Sequence, residues 1–208
     1  LIENKLNTKK DILVFVDSKK SQINSRLKKR KNLFSKNLNF IIKKIRSTEN
    51  PFVVVSHARH QWIMPQKFES KKWKVLSKNN DWLIHGFKRF IKKRPNSNAF
   101  LILFEYGEDY LETKKLCITE GIFDKVQWMP IMPRKEILYI IKNSSVGIGE
   151  FYHDDVMWGG TGWEILSQGK PLIQGYRKNS NQFKKEYGFE PPPIFAANSI
   201  NSILISQD

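Results

Sequence analysis

Residues 145–174 read SVGIGEFYHDDVMWGGTGWEILSQGKPLIQ and hold a complete strand, loop, helix and strand. Residues 145–148 (SVGI) form a short apolar run, and Gly159-Gly160-Thr161-Gly162 breaks the chain into a turn. The spacing then predicts a helix from about Thr161 to Gln168, which Gly169 ends and after which Pro171 opens a second apolar run, 171–174 (PLIQ). Two buried strands joined through a helix suit parallel pairing, because a parallel neighbour needs a crossover of that length to bring the chain back to the starting end of the sheet.

Working outward from this unit, the same alternation extends back to Pro51. Further strands are predicted at 52–56 (FVVVS), 99–104 (AFLILF) and 125–128 (KVQW), with a weaker one at 193–196 (PIFA). In 81–93, Leu83, Phe87, Phe90 and Ile91 fall at i, i+4, i+7 and i+8, with Asn80 or Asp81 as cap and Pro95 beyond the end. Residues 109–120 make a second helix closed by Gly121, and 133–142 a third, with Pro133 in its first turn and Ile137, Ile140 and Ile141 on one face. The pattern is that of an α/β domain over 51–208, a parallel sheet with helices on both faces. A final strand and helix are expected within 193–207.

Residues 1–50 read differently. One strand at 11–16 (DILVFV) is followed by a Lys/Arg-rich stretch with weak apolar spacing at Leu33, Phe34, Leu38, Phe40 and Ile41. One strand and a basic stretch cannot enclose a core, so these residues are expected to be the remnant of a preceding domain and its connector. At 208 residues the chain suits one α/β domain plus an appendage and is short for two complete domains of this kind.

Composition narrows the function classes. With 40% hydrophobic residues and six Trp the chain has ample material for a core and is not a disordered sequence. Cys117 is the single cysteine, which excludes an internal disulfide and any cysteine-rich metal site. His57, His60 and His153 have no recognised metal spacing, so no metal is expected. No apolar run approaches the roughly 20 residues of a membrane span, and the start LIENKLNTKK lacks a signal-peptide layout, so a cytoplasmic location is expected. The net charge is +16, with 25 Lys/Arg against 6 Asp/Glu in residues 1–100 and 11 against 14 in residues 101–208. A basic half of this kind suits a solvated surface, peripheral contact with an anionic membrane face, or nucleic acid. No RRM, KH, helix-turn-helix or zinc-finger pattern accompanies it, and nucleic acid is not the expected partner.

Ligands of an open parallel sheet bind beyond the carboxyl ends of its strands. The loops there contain His57-Ala58-Arg59-His60-Gln61-Trp62, Glu105-Tyr106-Gly107-Glu108-Asp109, Met129-Pro130-Ile131-Met132, and the segment from Gly149-Glu150 to Gly162. A glycine-rich turn feeding a helix can hold a phosphate on its backbone N–H groups, and it can equally be a plain turn before a capped helix. Glu164, one turn in, can accept hydrogen bonds from sugar hydroxyls or simply favour the helix dipole. Arg59 and Lys78 can bind an anion or sit as solvated surface cations.

Glu164-Ile-Leu-Ser-Gln-Gly-Lys-Pro-Leu-Ile173 resembles the Glu-Ala-x-Ala-x-Gly-x-Pro-Val-Ile signature of retaining GT-B glycosyltransferases (group 1, family 4-like), in the nucleotide-sugar-binding half. Arg59 followed by Lys78-Asn79-Asn80-Asp81-Trp82-Leu83-Ile84 resembles the family's Arg…Lys-Gly-x-x-x-Leu-Ile pattern, and FLILFEYGED and GIFDKVQWMPIMPRKEILYIIKNSSVGIG are similar to its next two stretches. The likeness covers about residues 52–175.

The resemblance implies a Rossmann-like domain that binds a nucleoside diphosphate sugar as donor, with no further cofactor. Arg59 and Lys78 would act catalytically by holding the leaving diphosphate, Glu164 would anchor the ribose, and Gly160, Thr161 and Gly162 would present the helix start to the phosphates. Met129, Pro130, Ile131 and Met132 would line the base, with Gly107 and Glu150 completing the pocket. Where the family has a first glutamate, eight positions before Glu164, this chain has Val156, and Glu150, Asp154 and Asp155 are the candidates to replace it. Lys78 is followed by Asn79 where the pattern has Gly. The implied acceptor is a saccharide or lipid-linked molecule held by the other half of the enzyme, so these residues alone are expected to be inactive in transfer. A GT-B-fold sugar-nucleotide epimerase, a non-catalytic nucleotide-binding module and a basic nucleic-acid-binding protein are the alternatives.

Overall fold

The computed structural model describes residues 36–63, 77–151, 159–192 and 194–199. The expected strand at 11–16, His153, Asp154, Asp155, Val156 and the expected helix beyond residue 199 lie outside them. The described residues form a six-stranded sheet in which every pairing is parallel, in the order β3-β2-β1-β4-β5-β6. The strands are β1 Phe52–Val55, β2 Ala99–Phe104, β3 Val126–Met129, β4 Val146–Ile148, β5 Leu172–Gln174 and β6 Ile194–Ala196. The helices are α1 at 36–47, α2 Asn80–Lys93, α3 Tyr110–Thr119, α4 Arg134–Lys142, α5 Gly160–Ser167 and α6 Ser180–Tyr187.

Strand alternation divides the core in two. Val54, Leu101 and Leu103 face one side with Leu83, Ile84, Phe87 and Phe90 of α2 and Cys117 of α3. Val53, Val55, Phe100, Ile102 and Phe104 face the other side with Ile41, Ile42 and Ile45 of α1, Ile140 and Ile141 of α4, and Ile165 of α5. Helices therefore cover both faces, as a parallel sheet requires. Helix α1 comes from the stretch read as a connector, yet its three isoleucines are buried in this domain's core. Phe40, counted in the apolar spacing there, is 56% exposed.

Local chemistry explains the element ends. Helix α2 begins one residue earlier than expected, with Asn79 as its cap at φ 45 and ψ 48. That left-handed conformation is natural to glycine, and asparagine is among the few other residues that adopt it readily. The Gly-to-Asn departure after Lys78 thus keeps the backbone geometry that the family's glycine permits. Pro133 stands as the extended N-cap of α4 and not inside its first turn. Helix α6, unforeseen in the sequence, starts at a capping box in which Asn179 and Gln182 satisfy each other's backbone N–H.

Strand order runs outward in opposite directions from the β1–β4 pair, where Val54 lies beside Val146 and Val55 beside Gly147. The crevice beyond these two strand ends is where a doubly wound sheet binds its ligand.

Candidate functional site

The segment leaving β1 is fixed mainly by backbone bonds. His60 N donates to Tyr106 O at 2.8 Å, Asp109 N donates to His60 O at 3.1 Å, and Asp109 Oδ2 accepts from Trp62 N and Ile63 N at 2.7 and 2.9 Å. Gly107 closes this seam at φ +108, and a Cβ there would stand 2.4 Å from His60 O. Its glycine is therefore demanded by the close approach of two loops. The His60 ring is buried and donates Nε2–H to Phe104 O at 3.0 Å. Burial pushes its pKa down to about 4, opposed by that bond and by Asp109, so it is neutral at pH 7. Arg59 is exposed, and its stem lies over Gly107.

Lys78 and Glu150 meet across the β1–β4 crevice in an ion pair whose side chains are 8% and 6% exposed. Asn79 adds a side-chain bond to Phe151 O, which ties the start of α2 to the loop after β4. Glu150 Oε2 is buried without a hydrogen-bond partner and lies 2.5 Å from where a Cβ on Gly159 would stand. Glycine at the cap of α5 thus leaves room for this carboxylate. Lys78 is therefore not a solvated surface cation, one of the two readings that its sequence allowed. It is buried with Glu150, and removing it alone would leave an unpaired interior charge.

The third feature is built on α5. Glu164 Oε2 accepts from His57 Nε2 at 2.6 Å, and Glu164 Oε1 accepts from Arg134 Nε at 2.7 Å. Burial holds the His57 pKa below its ordinary value against the opposing pull of Glu164 and Glu150. The imidazole is then neutral with its proton on Nε2. Arg134 is 73% exposed and holds Glu164 from the solvent side, whereas His57, 9% exposed, holds it from within. These groups edge a cavity of about 440 Å³, lined also by Phe104, Tyr106, Ile131, Met132 and Ile137. That volume lies in the range of small-ligand pockets, and a mostly apolar lining with a few convergent polar groups is their usual make-up.

Of the other expected site residues, Ile131 and Met132 line the cavity, whereas Met129 is buried in the core and Pro130 is half-buried outside the lining. Gly160 opens α5 with free space around it, Thr161 is half-buried, and Gly162 is buried against Gln174, whose Oε1 would be 2.5 Å from a Cβ there. No hydrogen bond or ion pair joins Arg59 to Lys78, Glu150 or Glu164 among the described residues. Sequence reasoning missed Arg134 and Tyr106 as site groups and placed His57 only in a loop beyond a strand end. No local spacing joins these residues to Glu164: the His57–Glu164 bond spans 107 positions. Among the described residues no cluster of three or more His, Cys, Asp or Glu is placed to hold a metal, and no helix is long and apolar enough to cross a membrane.

No protein-family model matches the chain, and no curated protein matches it. Solved structures do. A glycosyltransferase from Rickettsia africae ESF-5 superposes with a TM-score of 0.53 at 12% identity, over 81% of this chain and 39% of that one. WaaG, a glycosyltransferase involved in lipopolysaccharide biosynthesis, gives 0.51 at 10% identity over 80% and 40%. The pneumococcal O-GlcNAc transferase GtfA in complex with UDP and GlcNAc gives 0.50 at 16% identity over 74% and 27%. This chain spans 27–40% of the length of these three proteins. The likeness is one of fold, the Rossmann-like parallel sheet of GT-B glycosyltransferases.

Proposed function

We propose that this chain is the donor-binding half of a retaining GT-B glycosyltransferase that transfers a hexose-type sugar from a nucleoside diphosphate to a saccharide or lipid-linked acceptor. The observation that carries the reading is Glu164, held in the first turns of α5 at the rim of the 440 Å³ cavity beyond the strand ends. The base enters the apolar cavity over Ile131 and Met132, and the ribose reaches Glu164. The diphosphate runs toward the start of α5 and Lys78. Arg59, the Lys78 ammonium and the N–H groups of Gly160 and Thr161 then oppose the negative charge that grows on the leaving diphosphate. Such preorganised charge is worth most in a water-poor crevice. Glu150, beside Lys78, takes the place of the family's first glutamate toward the donor sugar. The complex of GtfA with UDP and GlcNAc supports this class of ligand, and transfer itself requires the other half of the enzyme.

Thermal unfolding with UDP, GDP, ADP and their common sugars tests the proposal, since a ligand of the folded state raises the midpoint. At least one nucleoside diphosphate is expected to stabilise the chain at both low and high salt. If none does, and an oligonucleotide binds with a steep salt dependence, the donor-site reading fails and the basic surface is the functional one.

A further inference from the structure

Within that donor-site reading, we infer that His57 is a positioning residue that presents the Glu164 carboxylate to a ribose cis-diol and so sets the preference for ribonucleotides over 2′-deoxyribonucleotides. A carboxylate offers two oxygens with about two lone-pair sites each. Here one site on Oε2 is taken by His57 Nε2–H at 2.6 Å and one on Oε1 by Arg134 Nε at 2.7 Å. Each oxygen keeps one site, and Glu164 is among the residues that line the cavity. Two neighbouring acceptors match two vicinal hydroxyls, and a deoxyribose lacks one of them.

The two clamps are not equal. Arg134 stands in solvent on a mobile-length side chain, whereas His57 leaves the end of β1 directly and its side chain is 9% exposed. Two χ angles and the pinned 57–63 segment fix the imidazole, so the orientation of Glu164 is set mainly from the His57 side. The His57 Nδ1 atom is buried without a partner, so the ring's one hydrogen bond is the one to Glu164. A group retained for packing alone has no need of that bond.

The test compares 2′-deoxy with ribo forms of whichever diphosphate, UDP, GDP or ADP, the parent chain binds, by calorimetry on the parent, His57→Gln and His57→Asn. Glutamine places an N–H near the Nε2 position, and asparagine places one near Nδ1 instead. The parent is expected to prefer the ribonucleotide by about tenfold or more, the effect of one hydrogen bond to a charged group. His57→Gln should keep most of that ratio, and His57→Asn should bring it to roughly threefold or less. Arg134→Ala, at an exposed position, should lower the ratio partially. A parent that binds both forms equally overturns the inference, as does His57→Asn keeping the parent ratio, and either result leaves the donor site standing. A parent that binds no nucleoside diphosphate removes the donor site and the inference together.

Discussion

Acidification should weaken this domain through His60 by an amount that can be worked out. In the unfolded chain the imidazole takes a proton near its ordinary value of 6.5, whereas in the folded protein burial lowers that point to about 4. The group therefore contributes stability that is complete above the unfolded pKa and is lost as pH falls toward the folded one. Each pH unit between them removes about 1.4 kcal/mol, so the whole window removes roughly 3 kcal/mol. Against the 5–15 kcal/mol typical of a domain, that is a large share. Urea unfolding followed by tryptophan fluorescence at about pH 7.5, 6.5, 5.5 and 4.5 measures it. His60→Gln is the comparison, because its amide can still donate to Phe104 O but does not titrate. The parent minus His60→Gln difference is expected to fall by roughly 2–3 kcal/mol between about pH 7 and 4.5. His57, whose pKa is also lowered, contributes equally to both proteins and cancels. Parallel stability curves for parent and variant would refute the assignment of a buried, neutral His60.

Two further outcomes follow from the crevice. Lys78→Ala should cost about 3–5 kcal/mol because Glu150 is left charged and buried, whereas the Lys78→Met, Glu150→Gln double variant should cost much less, as a double-mutant cycle by urea unfolding would show. Arg59→Ala, at an exposed side chain, should leave the unfolding midpoint within the small range of surface changes, and Glu164→Ala should leave the domain folded. Each should weaken nucleoside diphosphate binding roughly ten- to a hundredfold by calorimetry, with the exposed Lys92→Ala as an unaffected control.

The sheet was legible because its strands are dense in β-branched and aromatic residues, as in Phe52-Val53-Val54-Val55, and because glycine or proline marks the turns between them. Helix α2 was legible from the spacing of Leu83, Phe87 and Phe90, all of which are buried. Helix α6 was not, since Phe183 alone is buried among polar residues and gives no stripe. Helix α1 was obscured in another way: lysines and an exposed Phe40 surround Ile41, Ile42 and Ile45, so the pattern reads as basic before it reads as amphipathic. The site divides along the same line. Glu164 and its glycine turn announce themselves through local spacing, whereas the Lys78–Glu150 pair and the two clamps on Glu164 join residues 72, 107 and 30 positions apart, and chain order alone encodes no such meeting.

The seam between His60 and the Tyr106–Asp109 turn is made of main-chain bonds and of a glycine that can be nothing larger. Main-chain bonds do not depend on which side chains the bonded residues carry. Arg59, which rides above the seam, and Tyr106, which is 47% exposed and lines the cavity, can therefore change identity over generations while the wall that carries them keeps its shape. Under the proposed donor-site reading, a descendant of this protein could recognise a different ligand by exchanging those two side chains, with no refolding of the loops beneath them.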